Sequence, residues 1–389
     1  MTMEAASRLR KISPSLTLSI DSKAKAMKAE GIDVINFGAG EPDFDTPEHI
    51  KAAAMGSLDA GFTKYTPSSG IPELRAAISE KLKAENNLDY KPSQIIVNCG
   101  AKHSCFNAIL AAIEPDDEVI IPAPFWLSYP EMVKVAGGVP VIVNTKAENG
   151  YKITPEEFEE AMSPRTKLII INSPGNPTGS VYTKEELEAL AEVALAEDIL
   201  ILSDEIYEKL MYDGQKHFSI ASISKEVYEN TFTVNGFSKP YAMTGWRLGY
   251  IAAPEWAAKA IDSLQSQTTS NPTSFAQKGA LAAYKGPQEC VAQMVAEYDE
   301  RRKLVTSSLE KISKLSFTKP QGAFYVLINV AKTGLTSSQF SERLLERQNV
   351  AVVPGIAFGD DETVRISYAT SRENIEKGMK RIADFVASL

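Results

Sequence analysis

Six short apolar runs, separated by amphipathic stretches, constrain the fold of this chain more than any other feature. The runs cover 95–98, 118–122, 140–144, 167–172, 199–203 and 231–234. Several are apolar at successive rather than alternate positions. Strands of a parallel sheet look like this, because helices cover both faces. The intervening stretches carry helical periodicity over 102–113, 129–136 and 183–196. Thr183 and Glu186 have the spacing of a capping box, and Thr154-Pro155 has the cap and first-turn pair of a helix start. This rhythm predicts an α/β domain with a mostly parallel central sheet covered by helices. The texture then changes. A long amphipathic helix is expected over 287–315, short strands over 323–329, 350–353 and 364–368, and helices over 338–347 and 372–388. That pattern predicts a smaller α+β domain. The expected division is 1–46 as an N-terminal arm with part of the small domain, 47–286 as the large domain and 287–389 as the small C-terminal domain.

Composition narrows the function. The 389 residues are 44% hydrophobic and 23% charged, ordinary for a soluble globular protein. A net charge of −9 opposes binding to nucleic acid or to a membrane surface. No apolar stretch approaches the ~20 residues that span a bilayer. The charged N-terminus lacks the apolar core of a secretory signal. Cys99, Cys105 and Cys290 form no CxxC pair and read as reduced thiols in a cytoplasm. His49, His103 and His217 lie far apart with no HExxH, so no metal is expected.

In an open α/β sheet, ligands gather beyond the carboxyl ends of the strands. The residues just beyond each run are therefore candidates for a site. After 95–98 comes Gly100-Ala101-Lys102, opening a helix whose free N–H groups and dipole suit a phosphate. The same turn also serves as a plain strand–helix connection. After 118–122 comes Trp126, an indole that can stack on a planar ring or pack in a core. After 167–172 comes Asn176, held extended by Pro177, with an amide that can point into a cleft. After 199–203 come Asp204 and Tyr207, and a carboxylate directly behind a buried run needs a partner. After 231–234 comes Ser238-Lys239, with Arg247 further on. Desolvation and a neighbouring cation favour the neutral, nucleophilic amine of such a lysine. Each feature is commonplace alone. Together they place a phosphate cradle, an indole, an amide, a carboxylate, a phenol and an amine at one sheet edge. That set fits pyridoxal 5'-phosphate. Lys239 would form the Schiff base, Asp204 would keep the pyridine nitrogen protonated, and Arg247 with the helix N-terminus would neutralise the phosphate.

The motifs extend along nearly the whole chain. They are Gly38-Ala39-Gly40-Glu41-Pro42-Asp43-Phe44, Tyr65-Thr66-Pro67 with Gly70-Ile71-Pro72-Glu73-Leu74-Arg75, Asn176-Pro177-Thr178-Gly179, Ser203-Asp204-Glu205-Ile206-Tyr207, Ser238-Lys239 with Met243-Thr244-Gly245-Trp246-Arg247-Leu248-Gly249-Tyr250, and Arg365-Ile366-Ser367-Tyr368-Ala369. In these the chain resembles the fold-type I pyridoxal-phosphate aminotransferases, and within class I the bacterial aspartate aminotransferase branch.

The resemblance implies further roles. Tyr207 and Asn176 would contact the cofactor's phenolic oxygen, and Trp126 would stack on its ring. Tyr65 would reach the phosphate in a neighbouring subunit, giving a homodimer with shared sites. Arg365 would clamp the α-carboxylate of amino- and 2-oxo-acid substrates, helped by Asn176 and the backbone near Gly40. Thr17 and Lys102 would bind the distal carboxylate of aspartate, with 2-oxoglutarate as the acceptor. Gly236 is a departure: it stands three before the lysine, where many relatives carry a hydroxyl residue on the phosphate, and Ser238 is the candidate substitute. The same frame serves aromatic, alanine, kynurenine or prephenate aminotransferases and some lyases. Relatives that accept prephenate carry a basic residue four positions before the threonine, where this chain has Ser13, which argues against prephenate. A non-catalytic cofactor-binding sensor is the remote alternative. Such regulators carry an extra DNA-binding domain, and only about 40 residues precede the cofactor domain here.

Overall fold

Burial sorts the apolar runs into one seven-stranded sheet. The computed structural model describes residues 5–389. Its main sheet contains β1 (Ile95–Asn98), β2 (Glu118–Ala123), β3 (Val139–Asn144), β4 (Thr166–Asn172), β5 (Leu200–Asp204), β6 (Thr231–Gly236) and β7 (Gly249–Ala252), in the order β1-β7-β6-β5-β4-β2-β3. Neighbours from β3 to β6 are parallel, whereas β7 runs antiparallel to both β1 and β6. Successive residues of β4 point to opposite faces, and both faces are dry. Leu168 and Ile170 pack with Ile109, Val133 and Ile251, while Ile169 and Ile171 pack with Leu187, Leu190 and Ile201. Only the edge strand β3 is substantially exposed.

Register positions the functional edge. Asn172 of β4 pairs with Asp204 of β5, and Asp204 pairs with Val234 of β6. Strands β4 and β5 thus end level, β6 runs on to Gly236 beside β7, and the segments behind them emerge side by side. Because β7 runs the other way, its start lies at this same edge and brings Arg247 there.

The C-terminal region builds a four-stranded antiparallel sheet from Ser316–Phe317, Tyr325–Asn329, Val353–Pro354 and Thr363–Ser367. Its core takes in Tyr207, Leu210 and Tyr212, which come after β5, so the two sheets share apolar contacts. Several expectations need correction. The long helix is shorter than 287–315 and runs Glu289–Leu309. The strand expected at 350–353 is two strands in different sheets: Val350–Ala351 pairs with Ile35–Asn36, and Val353–Pro354 pairs with Thr363–Ser367. The helices Leu16–Ala29, Glu48–Asp59, Pro72–Asn86, Glu255–Thr268 and Ser274–Lys285 carry no expectation from the sequence pattern. In Glu48–Asp59 the reason is visible, since only Ile50 and Ala54 are buried and the apolar stripe is faint. Among the described residues no helix is long and apolar enough to cross a membrane.

A buried ionic cluster ties the helix Pro72–Asn86 to the segment behind β5. Lys81 donates to Glu208 and, at 2.8 Å, to Asn86 Oδ1, while Asn86 Nδ2 donates to Glu208 Oε2 at 2.7 Å. His217 Nε2 lies 2.9 Å from Glu205 Oε2, and Ser203 and Ser219 donate to Glu205 Oε1. Glu205, Glu208 and His217 are close enough to hold a metal ion, yet each is already engaged by protein groups. Burial raises the Glu208 carboxyl, but Lys81, His217 and Asn86 overcome it and hold the value at about 2. Lys81→Met should strand this carboxylate and lower unfolding free energy by about 3–5 kcal/mol. The folded value lies below the ordinary 4.5, so the stabilisation is present above 4.5 and is lost as pH falls toward 2. Denaturant titrations of both proteins at pH 7 and pH 3 check this, and the difference should narrow in acid.

Candidate active site

The strand ends open onto a cavity of about 460 Å³. Thr17, Gly40, Ala101, Lys102, Trp126, Asn176, Asp204, Tyr207, Ser238, Lys239, Arg247 and Arg365 all line it. Of the residues expected at the site, Gly100 and Tyr65 do not. Gly100 caps the helix Ala101–Ala112 and packs directly against the Arg247 guanidinium. Tyr65 is 90% exposed and stands outside its own chain's cleft.

Lys239 lies just beyond β6 and is half-buried, with Nζ donating to the Gly40 carbonyl at 2.6 Å. Burial pushes its value down from 10.5 to about 8; Glu41 opposes the shift, and the Arg365 and Arg247 charges add to it. A neutral amine is therefore accessible near neutral pH. Asp204, at the end of β5, is 4% exposed. Its Oδ2 accepts from the Tyr129 hydroxyl at 2.7 Å and the Cys105 thiol at 3.7 Å, and its Oδ1 from the Ile206 N–H at 3.2 Å. Burial raises this carboxyl above the usual range, and the hydrogen bonds only partly offset that.

Arg365 comes from the small sheet, where it pairs with Leu327. It is 3% exposed. Nη1 donates to Asn176 Oδ1 at 3.0 Å and Nη2 to the Gly38 carbonyl at 2.8 Å. The guanidinium lies over the Tyr325 ring at 4.4 Å, and its buried Nε has no hydrogen-bond partner. Asn176 is held in turn by its N–H to Asn172 Oδ1, 2.8 Å. Tyr207 and Tyr325 share a hydroxyl–hydroxyl hydrogen bond of 2.8 Å.

At the opposite wall, Lys102 Nζ sits 4.9 Å from the Trp126 ring centroid. Thr17 lies in the first turn of the helix Leu16–Ala29, capped by Ser15, and not in a loop. Its hydroxyl is 2.9 Å from the Ser15 hydroxyl. Arg247 has φ +53°, a left-handed backbone uncommon outside glycine, and Nη1 donates to the Thr244 carbonyl at 2.9 Å. Tyr325, Tyr129 and Asn172 also line the cavity, and sequence reasoning missed them. Asn172 ends a predicted strand and could have been found there. Tyr325 and Tyr129 carry no sequence signal that separates them from core aromatics.

Comparison with known proteins agrees with this geometry. Residues 32–382 match the family described as Aminotransferase class I and II. The chain is 52% identical over 386 residues to an aspartate aminotransferase of Bacillus sp. (strain YM-2), covering 98% of each chain. It is 50% identical over 383 residues to a probable aspartate/prephenate aminotransferase of Aquifex aeolicus (strain VF5), covering 97% of each. The structure of the aspartate aminotransferase from Thermus thermophilus with maleate superposes with a TM-score of 0.94 at 45% identity, covering 98% of this chain and all of that one. The chain belongs to the class I and II aminotransferases.

Proposed function

We propose that this chain is an aspartate aminotransferase that uses pyridoxal 5'-phosphate and moves the amino group of L-aspartate to 2-oxoglutarate, giving oxaloacetate and L-glutamate. The observation that carries the reading is one cavity lined by an amine of lowered basicity, a buried carboxylate and a buried guanidinium: Lys239, Asp204 and Arg365. The donor set suits the cofactor. Asp204 has only neutral donors as hydrogen-bond partners among the described residues, which matches a protonated ring nitrogen. The helix start at Ala101 and Lys102, with Ser238 and Arg247, suits a phosphate. Trp126 offers an aromatic face, and Asn176 and Tyr207 offer donors for a phenolic oxygen. The unpartnered Arg365 Nε suits a carboxylate.

When bound, pyridoxal phosphate supplies an aldehyde that takes up amines and a ring that accepts electron density from the substrate Cα. The chain's residues do the rest. Lys239 Nζ moves the proton at the substrate Cα, which requires the neutral amine that burial favours. Arg365 binds the α-carboxylate, with Asn176 and the Gly38 carbonyl fixing the orientation of its fork. Thr17 and Lys102 take the distal carboxylate. The same contacts serve donor and acceptor in turn, a ping-pong cycle. The Thermus relative was solved with maleate, itself a dicarboxylate. The exposed Tyr65 belongs in this reading to a neighbouring copy's cleft, making the working unit a homodimer with shared sites. The 47–286 unit carries the cofactor contacts, and the 287–389 unit brings Arg365. Three free cysteines suit the cytoplasm.

Lys239→Ala should lower turnover by about 10⁴-fold, and borohydride reduction of the loaded wild type should tag the Lys239 peptide; a tag on another lysine overturns the assignment. In cofactor-free protein, acylation of Lys239 should rise through pH 8 and level above it, whereas an ordinary lysine climbs to 10.5. Because the folded value is depressed, the unfolded chain holds the extra proton between pH 8 and 10.5, and this group's contribution to stability rises with pH there. Lys102→Ala should cut kcat/KM for aspartate by roughly 10–100-fold and leave phenylalanine and alanine nearly unchanged. Equal losses on all three donors would remove Lys102 from distal-carboxylate recognition.

A further inference from the structure

Tyr129 lies between two of the groups that the proposed function assigns to the cofactor ring. It is 2% exposed, in the first turn of the helix Ser128–Ala136. Its hydroxyl donates to Asp204 Oδ2 at 2.7 Å. Its ring meets the Trp126 indole edge to face, at 5.2 Å and 85°. One side chain thus braces both the carboxylate and the indole. Cys105, fully buried on the helix Ala101–Ala112, approaches the same carboxylate oxygen at 3.7 Å.

We propose that Tyr129 is a positioning residue: its hydroxyl holds Asp204 ionised and aimed, so that the carboxylate pairs with a protonated pyridine nitrogen instead of taking the proton itself. The inference rests on the cofactor reading above. Asp204 is a buried carboxylate with a high proton affinity, and burial is the cause. Such a group competes with a bound pyridine for one proton. A phenol donating to Oδ2 stabilises the ionised form and lowers that affinity. The titratable groups facing the site are Cys105, Tyr129, Glu205, Tyr207 and Lys239. The Tyr129 hydroxyl makes the shortest hydrogen bond to the Asp204 carboxylate, and a thiol at 3.7 Å is a weak donor that cannot replace it.

Tyr129→Phe removes only the hydroxyl and keeps the ring against Trp126. The test measures cofactor binding by fluorescence titration of reconstituted protein, with pyridoxal phosphate and with its 1-deaza analogue, in which a C–H replaces the ring nitrogen. Wild type should prefer pyridoxal phosphate. Tyr129→Phe should weaken pyridoxal phosphate by on the order of tenfold and leave the analogue unchanged, so the preference collapses by the same factor. In an Asp204→Asn background, Tyr129→Phe should have no further effect on either ligand. Cys105→Ala should move the preference far less than Tyr129→Phe. Equal weakening of both ligands would show a packing role and overturn the proposal, as would an unchanged preference. Failure of the wild type to bind pyridoxal phosphate would instead overturn the cofactor reading. Thermal melting of each variant confirms that the comparison is between folded proteins.

Discussion

A buried guanidinium with no carboxylate beside it is the constraint on which the cleft depends. Arg365 is 3% exposed and has no ion-pair partner among the described residues. Such a charge is costly unless hydrogen bonds and polarisable faces replace its water. The replacements come from four separate stretches of chain. Gly38 supplies a carbonyl, Asn176 supplies its amide oxygen from behind β4, and Tyr325 and Phe358 supply ring faces at 4.4 and 5.1 Å. Solvating Arg365 therefore joins the N-terminal segment, the large sheet and the small sheet at one point. The remaining Nε, buried and unpartnered, leaves the group short of one hydrogen bond that an anion can make.

Two further ionisable groups of the cleft, Asp204 and Lys239, are shifted by the same cause in opposite directions. Burial disfavours charge, so it raises Asp204 and lowers Lys239. Each shift has a neighbour working against it. Tyr129 and the Ile206 N–H draw Asp204 back toward its ionised form, and Glu41 draws Lys239 back toward its charged form. Arg365 and Arg247 tip the lysine the other way. An amine of lowered basicity and a carboxyl of raised proton affinity thus arise from burial at one cavity.

Much of this was legible in the sequence because a parallel sheet converts order along the chain into position in space. The apolar runs located strands β1 to β6 within a few residues. Asp204, Asn176 and Lys239 could be named simply as the polar residues just beyond three of them. Residues off that rule were harder. Tyr325 sits on the small sheet, within a run that reads as core and is core, and only its hydroxyl contact with Tyr207 shows a second use. The helix Leu16–Ala29 has a single fully buried residue, Ala24, so its apolar periodicity is too weak to announce it. Thr17 could thus be anticipated as a cleft residue through resemblance, but not as part of a helix. The two short strands around Val352 depend on which sheet each backbone pairs with, a tertiary choice that no local pattern records.

Gly236 shows how a departure from a family pattern can be structural in origin. A Cβ at this position would lie 2.9 Å from the Gly249 Cα and 3.2 Å from the Leu248 carbonyl, across the β6–β7 pair. A Cβ on Gly249 would in turn lie 2.6 Å from the Gly100 carbonyl carbon and collide with the Ala101 nitrogen. Three backbone segments are stacked here without intervening side chains, and the outermost is the first turn of the helix Ala101–Ala112. A side chain at 236 would press on β7 and on Ile206 Cδ1, and one at 249 would press on the helix turn. Removing side chains lets the turn settle onto β7, beside Arg247, so the positive end of the helix dipole and the guanidinium converge on one spot. This accounts for glycine at 236 and 249 through packing alone.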